Sequence, residues 1–312
     1  MKRIILLLFL IFTHDAMAAG LSSGGVLNDT GNPSRDGKHT SQPFEQRLET
    51  GITAFYRSDW NEARTVFSEL KERDVNDLRP YFFEAMIPFW KYFFGGEHPD
   101  DALDFLEKSE AAIKVGEEHI ETNPDDITTV LMLGGLYGYR ALVAAGEQQY
   151  RTALRSGANG YSYTRTLMRM DSGNPDALIG QGVFNYMMGT IPGAVRWTAN
   201  LFGLRGDKET GLELLEWAGQ MDTHTSTDAR IILTYIYHLE ERYEDALRVV
   251  DVLVEEWPDN TIFRYYRALS LEMCGKYEEA EAGYRAVIAR AHPELMEIRK
   301  ESNERLDALA KR

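Results

Sequence analysis

The chain has 312 residues, 44% of them hydrophobic, which is enough apolar material for a large core. Lysine and arginine total 34 against 49 aspartates and glutamates, and the net charge of −15 argues against a general role on nucleic-acid phosphates or anionic lipid headgroups. The single cysteine, Cys274, excludes an internal disulfide and any multi-cysteine metal site; among Leu271, Met273 and Tyr277 it reads as a small packed hydrophobe.

At the N-terminus, Lys2-Arg3, the apolar run Ile4 to Phe12 and the small-residue pattern Ala16-Met17-Ala18 have the layout of a secretory signal. Residues 1–18 are therefore read as a signal peptide, with the mature chain beginning at Ala19. That apolar run falls well short of the roughly 20 residues needed to cross a bilayer, and no later stretch reads as long and apolar enough. Residues 19–42 contain five glycines and four serines and almost no apolar side chains, so they read as a disordered leader.

Order is expected from Pro43-Phe44, where Gly51, a turn after Arg57, the run Trp60-Asn61-Glu62-Ala63, then Phe67 and Leu70 describe two helices. Pro-Asp recurs at 99-100, 124-125, 175-176 and 258-259, and proline in a first helical turn followed by an acid marks these as helix starts. They delimit a helix near 80–94 with Pro88 as a point of kinking, a long one over 99–122 carrying Leu103, Leu106, Ile113 and Ile120, and two more across 126–171. Strand signals are absent. The glycines of Gly134-Gly135-Leu136-Tyr137-Gly138 each disfavour a helix by about 1 kcal/mol relative to alanine, which points to close helix approach or to a ligand lying against exposed backbone. Gly180-Gln181-Gly182 lacks the third glycine, the preceding strand and the downstream acid of a nucleotide loop. Near 190–206 an insertion parts two helices, with a Pro192-Gly193 break and the apolar cluster Ile191, Val195, Trp197, Leu201 and Phe202. It reads either as an extra helix packed on its own repeats or as a wall of a binding site.

Further on, Tyr243-Glu244-Asp245-Ala246 returns 34 residues later as Tyr277-Glu278-Glu279-Ala280, and the two runs close at Trp257-Pro258 and His292-Pro293. That period is the tetratricopeptide repeat (TPR) length, and the aromatic-x-x-Ala run matches Trp60 to Ala63, where a small side chain lets two helices cross closely. Leu247, Val250, Val254 and Trp257 step round one helix face, as do Ala280, Tyr284, Val287 and Ala291. The charged stretch 294–312, with Leu295, Ile298, Leu306 and Leu309, suits the outer face of a final cap. The expected fold is all-α: a TPR-like right-handed α-solenoid of about six helix pairs over 43–292, with the 190–206 insertion and a capping helix over 293–312. The middle of the chain, from Gly182-Val183-Phe184-Asn185-Tyr186 through Pro192 and Gly206-Asp207 to Gly211-Leu212, resembles the family of the yeast inclusion-body-clearance and animal tetratricopeptide-repeat-39 proteins. The resemblance extends over 125–290 and is concentrated in 180–218; it implies a TPR fold and a non-enzymatic role and supplies no catalytic residues.

No two of the seven histidines lie three or four apart, so no helix-borne metal site is indicated, and adjacent carboxylates such as Glu117-Glu118 point apart on a helix. No Gly-x-Ser-x-Gly elbow or phosphate-binding loop occurs, and no cofactor or catalytic residue is assigned. The natural site is the groove lined by the first helix of each pair. In the two clear repeats its positions fall on Ile231, Tyr235, Tyr265 and Leu269, which suits an apolar or aromatic-rich partner. Tyr137, Arg140, Asn185 and Tyr186 are candidates from the middle of the chain, and Trp197 from the insertion. The resulting expectation is an exported, non-enzymatic scaffold, periplasmic or secreted, that binds a protein or peptide of the cell envelope, with no nucleic acid and no stable membrane insertion. The alternative is a small-molecule or lipid binder whose pocket the 190–206 insertion closes; an enclosed apolar cavity of several hundred Å³ would favour it over an open groove.

Overall fold

A computed structural model describes residues 42–96, 98–170, 175–190, 205–221, 225–290 and 292–311. The stretches read as a signal peptide and a leader, up to residue 41, and residues 191–204 of the expected insertion lie outside the described residues. All regular structure within them is helical, and the α-helices number thirteen. They follow one another as pairs: α1 (Phe44–Tyr56) with α2 (Trp60–Arg73), α3 (Leu78–Phe94) with α4 (Pro99–Thr122), and α5 (Ile127–Gly146) with α6 (Tyr150–Met170). Next come α7 (Pro175–Thr190) with α8 (Lys208–Gln220), α9 (Thr225–Leu239) with α10 (Tyr243–Glu256), and α11 (Thr261–Met273) with α12 (Tyr277–Arg290). A 3-10 turn, Pro293–Leu295, then leads into α13 (Met296–Leu309), which packs on α11 and α12 as a cap. Each helix also packs on its successor, so the described residues form a TPR-like α-solenoid of six pairs and a cap.

One turn recurs inside four of these pairs. Ser58, Gln148, Glu241 and Gly275 all have positive φ, between 56° and 76°, and each lies two residues before the aromatic that opens the second helix: Trp60, Tyr150, Tyr243 and Tyr277. The next amide donates back across the turn each time (Asp59 to Ala54, Gln149 to Ala144, Arg242 to Tyr237, Lys276 to Leu271), the six-to-one bond of a helix terminated by a left-handed residue. The third residue after each aromatic is alanine, and Ala63, Ala246 and Ala280 are fully buried where the helices cross. Tyr150-x-x-Ala153 is thus a further copy of the run. Of the Pro-Asp pairs, those at 99 and 175 open helices, whereas those at 124 and 258 sit in the turn just before one, with Asp126 and Asn260 as the capping side chains. The helix α3 continues through Pro88.

Close helix approach accounts for the glycines. A Cβ on Gly160 of α6 would meet the Gly138 nitrogen at 3.2 Å and the Gly134 oxygen at 3.3 Å, so this run brings the backbones of α5 and α6 together. A Cβ on Gly211 of α8 would lie 2.5 Å from the Gly182 oxygen and closer still to the Tyr186 nitrogen of α7. The expectation that no later stretch is long and apolar enough to cross a membrane needs correcting: α5 is, by length and composition, but 78% of its apolar window is buried against neighbouring helices.

The solenoid also closes on itself, because the first helices pack against the last ones. Tyr56 stacks on Trp257 with ring centroids 4.9 Å apart, its carbonyl accepts from Asn260 Nδ2 at 2.6 Å, and its hydroxyl donates to Asp228 at 3.0 Å. Arg64 forms a two-pronged bond to Glu294 at 3.0 and 2.7 Å, and Lys91 reaches the same carboxylate at 3.2 Å. Aromatics of α3 meet those of α9 and α11: Trp90 with Phe263, Phe93 with Tyr235, and Phe94 with Tyr266. One core accordingly joins residues 48–144 to residues 247–298, while a second fills α7 to α10.

Candidate functional site

Closure leaves an open cleft of about 560 Å³ where α1 passes the turn between α10 and α11. Its lining follows from helix geometry, since Gln46, Glu49, Thr50, Thr53 and Arg57 form one stripe at spacings of three and four, opposite the face that buries Leu48, Phe55 and Tyr56. The far wall is Asp59 and Glu62 at the start of α2 and Asp259 from the opposite end of the chain. Arg57 pairs with Asp259 at 3.3 Å, both more than half exposed, and Asp59 accepts from the Glu62 amide at 3.3 Å as the cap of α2. Four carboxylates thus face one guanidinium around hydroxyls and a carboxamide. Such a surface can hydrogen-bond an extended or helical segment and attract cationic side chains; it contains no hydroxyl or thiol nucleophile paired with a base.

A second space, apolar, lies between α3, α9, α10 and α11 and is bordered by Phe94, Ile231, Tyr235, Phe263 and Tyr266. It holds about 20 Å³, room for about one water and no ligand.

The structure ties most of the sequence-derived candidates to neighbouring helices. Tyr137 of α5 is buried and donates to Glu117 of α4 at 2.7 Å. Arg140 donates to Ser109 at 2.9 Å and to the Leu106 carbonyl and pairs with Glu110, all on α4. Asn185 donates to the Gln181 carbonyl at 2.8 Å and accepts from the Asp207 amide at 3.4 Å, holding the entry to α8 against α7. Tyr186 is buried and donates at 2.8 Å to Glu240, which also pairs with Lys208. Tyr265 donates to Glu301 of the cap at 2.7 Å. Tyr235 is half-buried with its ring 5.6 Å from Phe93. Trp197 lies outside the described residues. Of these residues Tyr235 alone borders the apolar space, and none of the described ones lines the α1 cleft.

One device explains the tyrosines. Their rings fill the space between helices, and the hydroxyls end on carboxylates of other elements: Tyr92 on Glu147, Tyr137 on Glu117, Tyr186 on Glu240, Tyr265 on Glu301 and Tyr284 on Glu272. Burial first, and then the accepting carboxylate, raise the Tyr137, Tyr186 and Tyr265 phenols well above the usual tyrosine range, so they act as fixed donors. Sequence reading missed the cleft residues. The signal for them was the polar stripe 46, 49/50, 53 and 57 on the first helix, facing away from Leu48 and Phe55.

No family model matches the chain, and no curated protein matches it. Among solved structures it is similar to a thermophilic TPR protein from Thermus thermophilus, 15% identical with a TM-score of 0.44, over 73% of this chain and 99% of that one. It is also similar to the TPR domain of P58(IPK), 12% identical with a TM-score of 0.27, over 86% of this chain and 99% of that one. The fold itself stands on the helix pairing and the shared turn.

Proposed function

We propose that the protein is a non-enzymatic scaffold, exported to the cell envelope, that binds a protein or peptide partner along the α1 cleft. The carrying observation is the cleft: open, polar and lined by the outward stripe of a first helix, as a segment-binding groove requires, while the apolar space beside α3 has room for about one water. Export is supported by the layout of residues 2–18.

A photo-crosslinking residue at Thr53, inside the cleft, should capture a protein partner in the native envelope, while the same residue at Arg285 on exposed α12 should not. Equal capture from both positions refutes the cleft. The mass of the exported protein tests the other half, with an N-terminus at Ala19 expected and an intact Met1 contradicting it.

A further inference from the structure

Three buried polar atoms among the described residues have no hydrogen-bond partner: Ser58 Oγ, Trp60 Nε1 and Trp257 Nε1. All three belong to the closure. Trp257 carries the ring stacked on Tyr56, Trp60 is fully buried with its ring 6.2 Å from His292, and Ser58 sits in the turn whose Arg57 reaches Asp259. No protein group reaches these three atoms, whereas helix crossings elsewhere are closed by Tyr-carboxylate bonds. Beside the shared core, the polar bonds across the seam converge: Arg64 and Lys91 both reach the one carboxylate of Glu294. What the seam covers is aromatic: Trp90, Phe93 and Phe94, spaced i, i+3 and i+4 on α3, lie against Phe263, Tyr235 and Tyr266.

We infer that the seam is a latch: the first helix pairs swing from residues 256–298 as a rigid body, and opening frees the face of α9 and α11 that the aromatic end of α3 occupies. The seated α3 shows the chemistry this face accepts, a helix bearing aromatics at i, i+3 and i+4. Asp259 lines the α1 cleft from across the seam, so opening also takes the cleft apart. Whatever binds the cleft therefore favours the closed state. The latch itself does not depend on that cleft being occupied.

Spin labels at exposed Ser68 on α2 and exposed Arg299 on α13, in a Cys274→Ser background, report the opening as a distance distribution. The closed distance should dominate in the parent. Glu294→Gln should raise a discrete longer-distance population about tenfold, with helix content by circular dichroism unchanged. Trp257→Phe keeps the stacked ring and removes an orphaned N–H, so adding it to Glu294→Gln should shrink that population again. One unchanged distance in all three proteins would overturn the latch, as would a loss of helix content in Glu294→Gln without a discrete longer distance.

Discussion

The crossing of α7 and α8 offers the sharpest test of the packing. In Gly211→Ala the new Cβ would sit 2.5 Å from the Gly182 oxygen and closer to the Tyr186 nitrogen, both of them backbone atoms of α7 that no rotamer change can move aside. Ordinary contact needs roughly 3.5 Å, so the two helices would have to separate by about 1 Å along the second core. Overpacking costs about 1 to 3 kcal/mol, and a backbone obstacle belongs at the upper end; the gain in helix propensity, up to about 1 kcal/mol, offsets only part of it. A net loss of about 2 kcal/mol lowers the melting temperature by roughly 4 to 8 °C in a chain of this size. Gly160→Ala is the comparison, because its Cβ would meet backbone only at 3.2 and 3.3 Å and should lower the melt much less. Thermal melts of both variants by far-UV circular dichroism decide the matter, and a Gly211→Ala protein that melts with or above the parent refutes the crossing.

Other predictions follow from single features. Ala246→Leu and Ala280→Leu should each lose on the order of 1 to 3 kcal/mol in chemical denaturation, because both alanines are fully buried at helix crossings; parental midpoints in both would contradict the repeat register. Tyr186→Phe leaves Glu240 without its phenol donor and should cost about 1 kcal/mol while sparing capture at Thr53; a larger loss of capture than of stability would return Tyr186 to the binding surface. The His238 imidazole, bonded to Ser270, is pushed down to about 4 by burial and by Arg305. Its folded value thus lies below the ordinary 6.5, so stability present above pH 6.5 should fall as the pH drops toward 4, by on the order of 3 kcal/mol at most, and His238→Asn should remove that step from a pH series of denaturation curves. Arg64 and then Lys91 hold the Glu294 carboxyl down to about 2, so its share of the seam's stability should persist above pH 4.5 and be lost between 4.5 and 2; seam opening at pH 6 in the unmutated protein would contradict that.

The fold was legible wherever local signals agreed. Tyr243 to Ala246 and Tyr277 to Ala280 kept strict spacing, and the repeat length followed from them. Tyr150 to Ala153 is harder to read because long helices and a glycine-rich run separate it from its counterparts, and because Ser58, Gln148 and Glu241 fill with ordinary residues a left-handed position that only Gly275 announces. The Gly134 to Gly138 run pointed to either close helix approach or a ligand, and only the neighbouring helix, with Gly160 set against the Gly138 nitrogen and Gly134 oxygen, decides for approach. Closure was not readable, because it depends on contacts between residues some two hundred positions apart, such as Asn260 with Tyr56 and Arg64 with Glu294. For the same reason the cleft, which needs Asp259 beside α1, could not be anticipated. Tyr265, by its helix position, and Tyr137 and Tyr186, as candidates from the middle of the chain, were read toward a binding groove; their acceptors lie on other elements, beyond the reach of helical periodicity.

Both the cleft and the latch require that α1 lie beside the turn between α10 and α11. Cysteines at Arg57 and Asp259, whose side chains pair at 3.3 Å, can be coupled by a short bismaleimide in a Cys274→Ser background, with Asp251 and Arg267, paired at 2.6 Å between adjacent helices, as the control pair. The closed solenoid predicts that Arg57→Cys/Asp259→Cys couples within single chains in dilute solution as readily as the control, giving a looped product of monomer mass. Efficient coupling of the control with no intramolecular product from the 57/259 pair would contradict it.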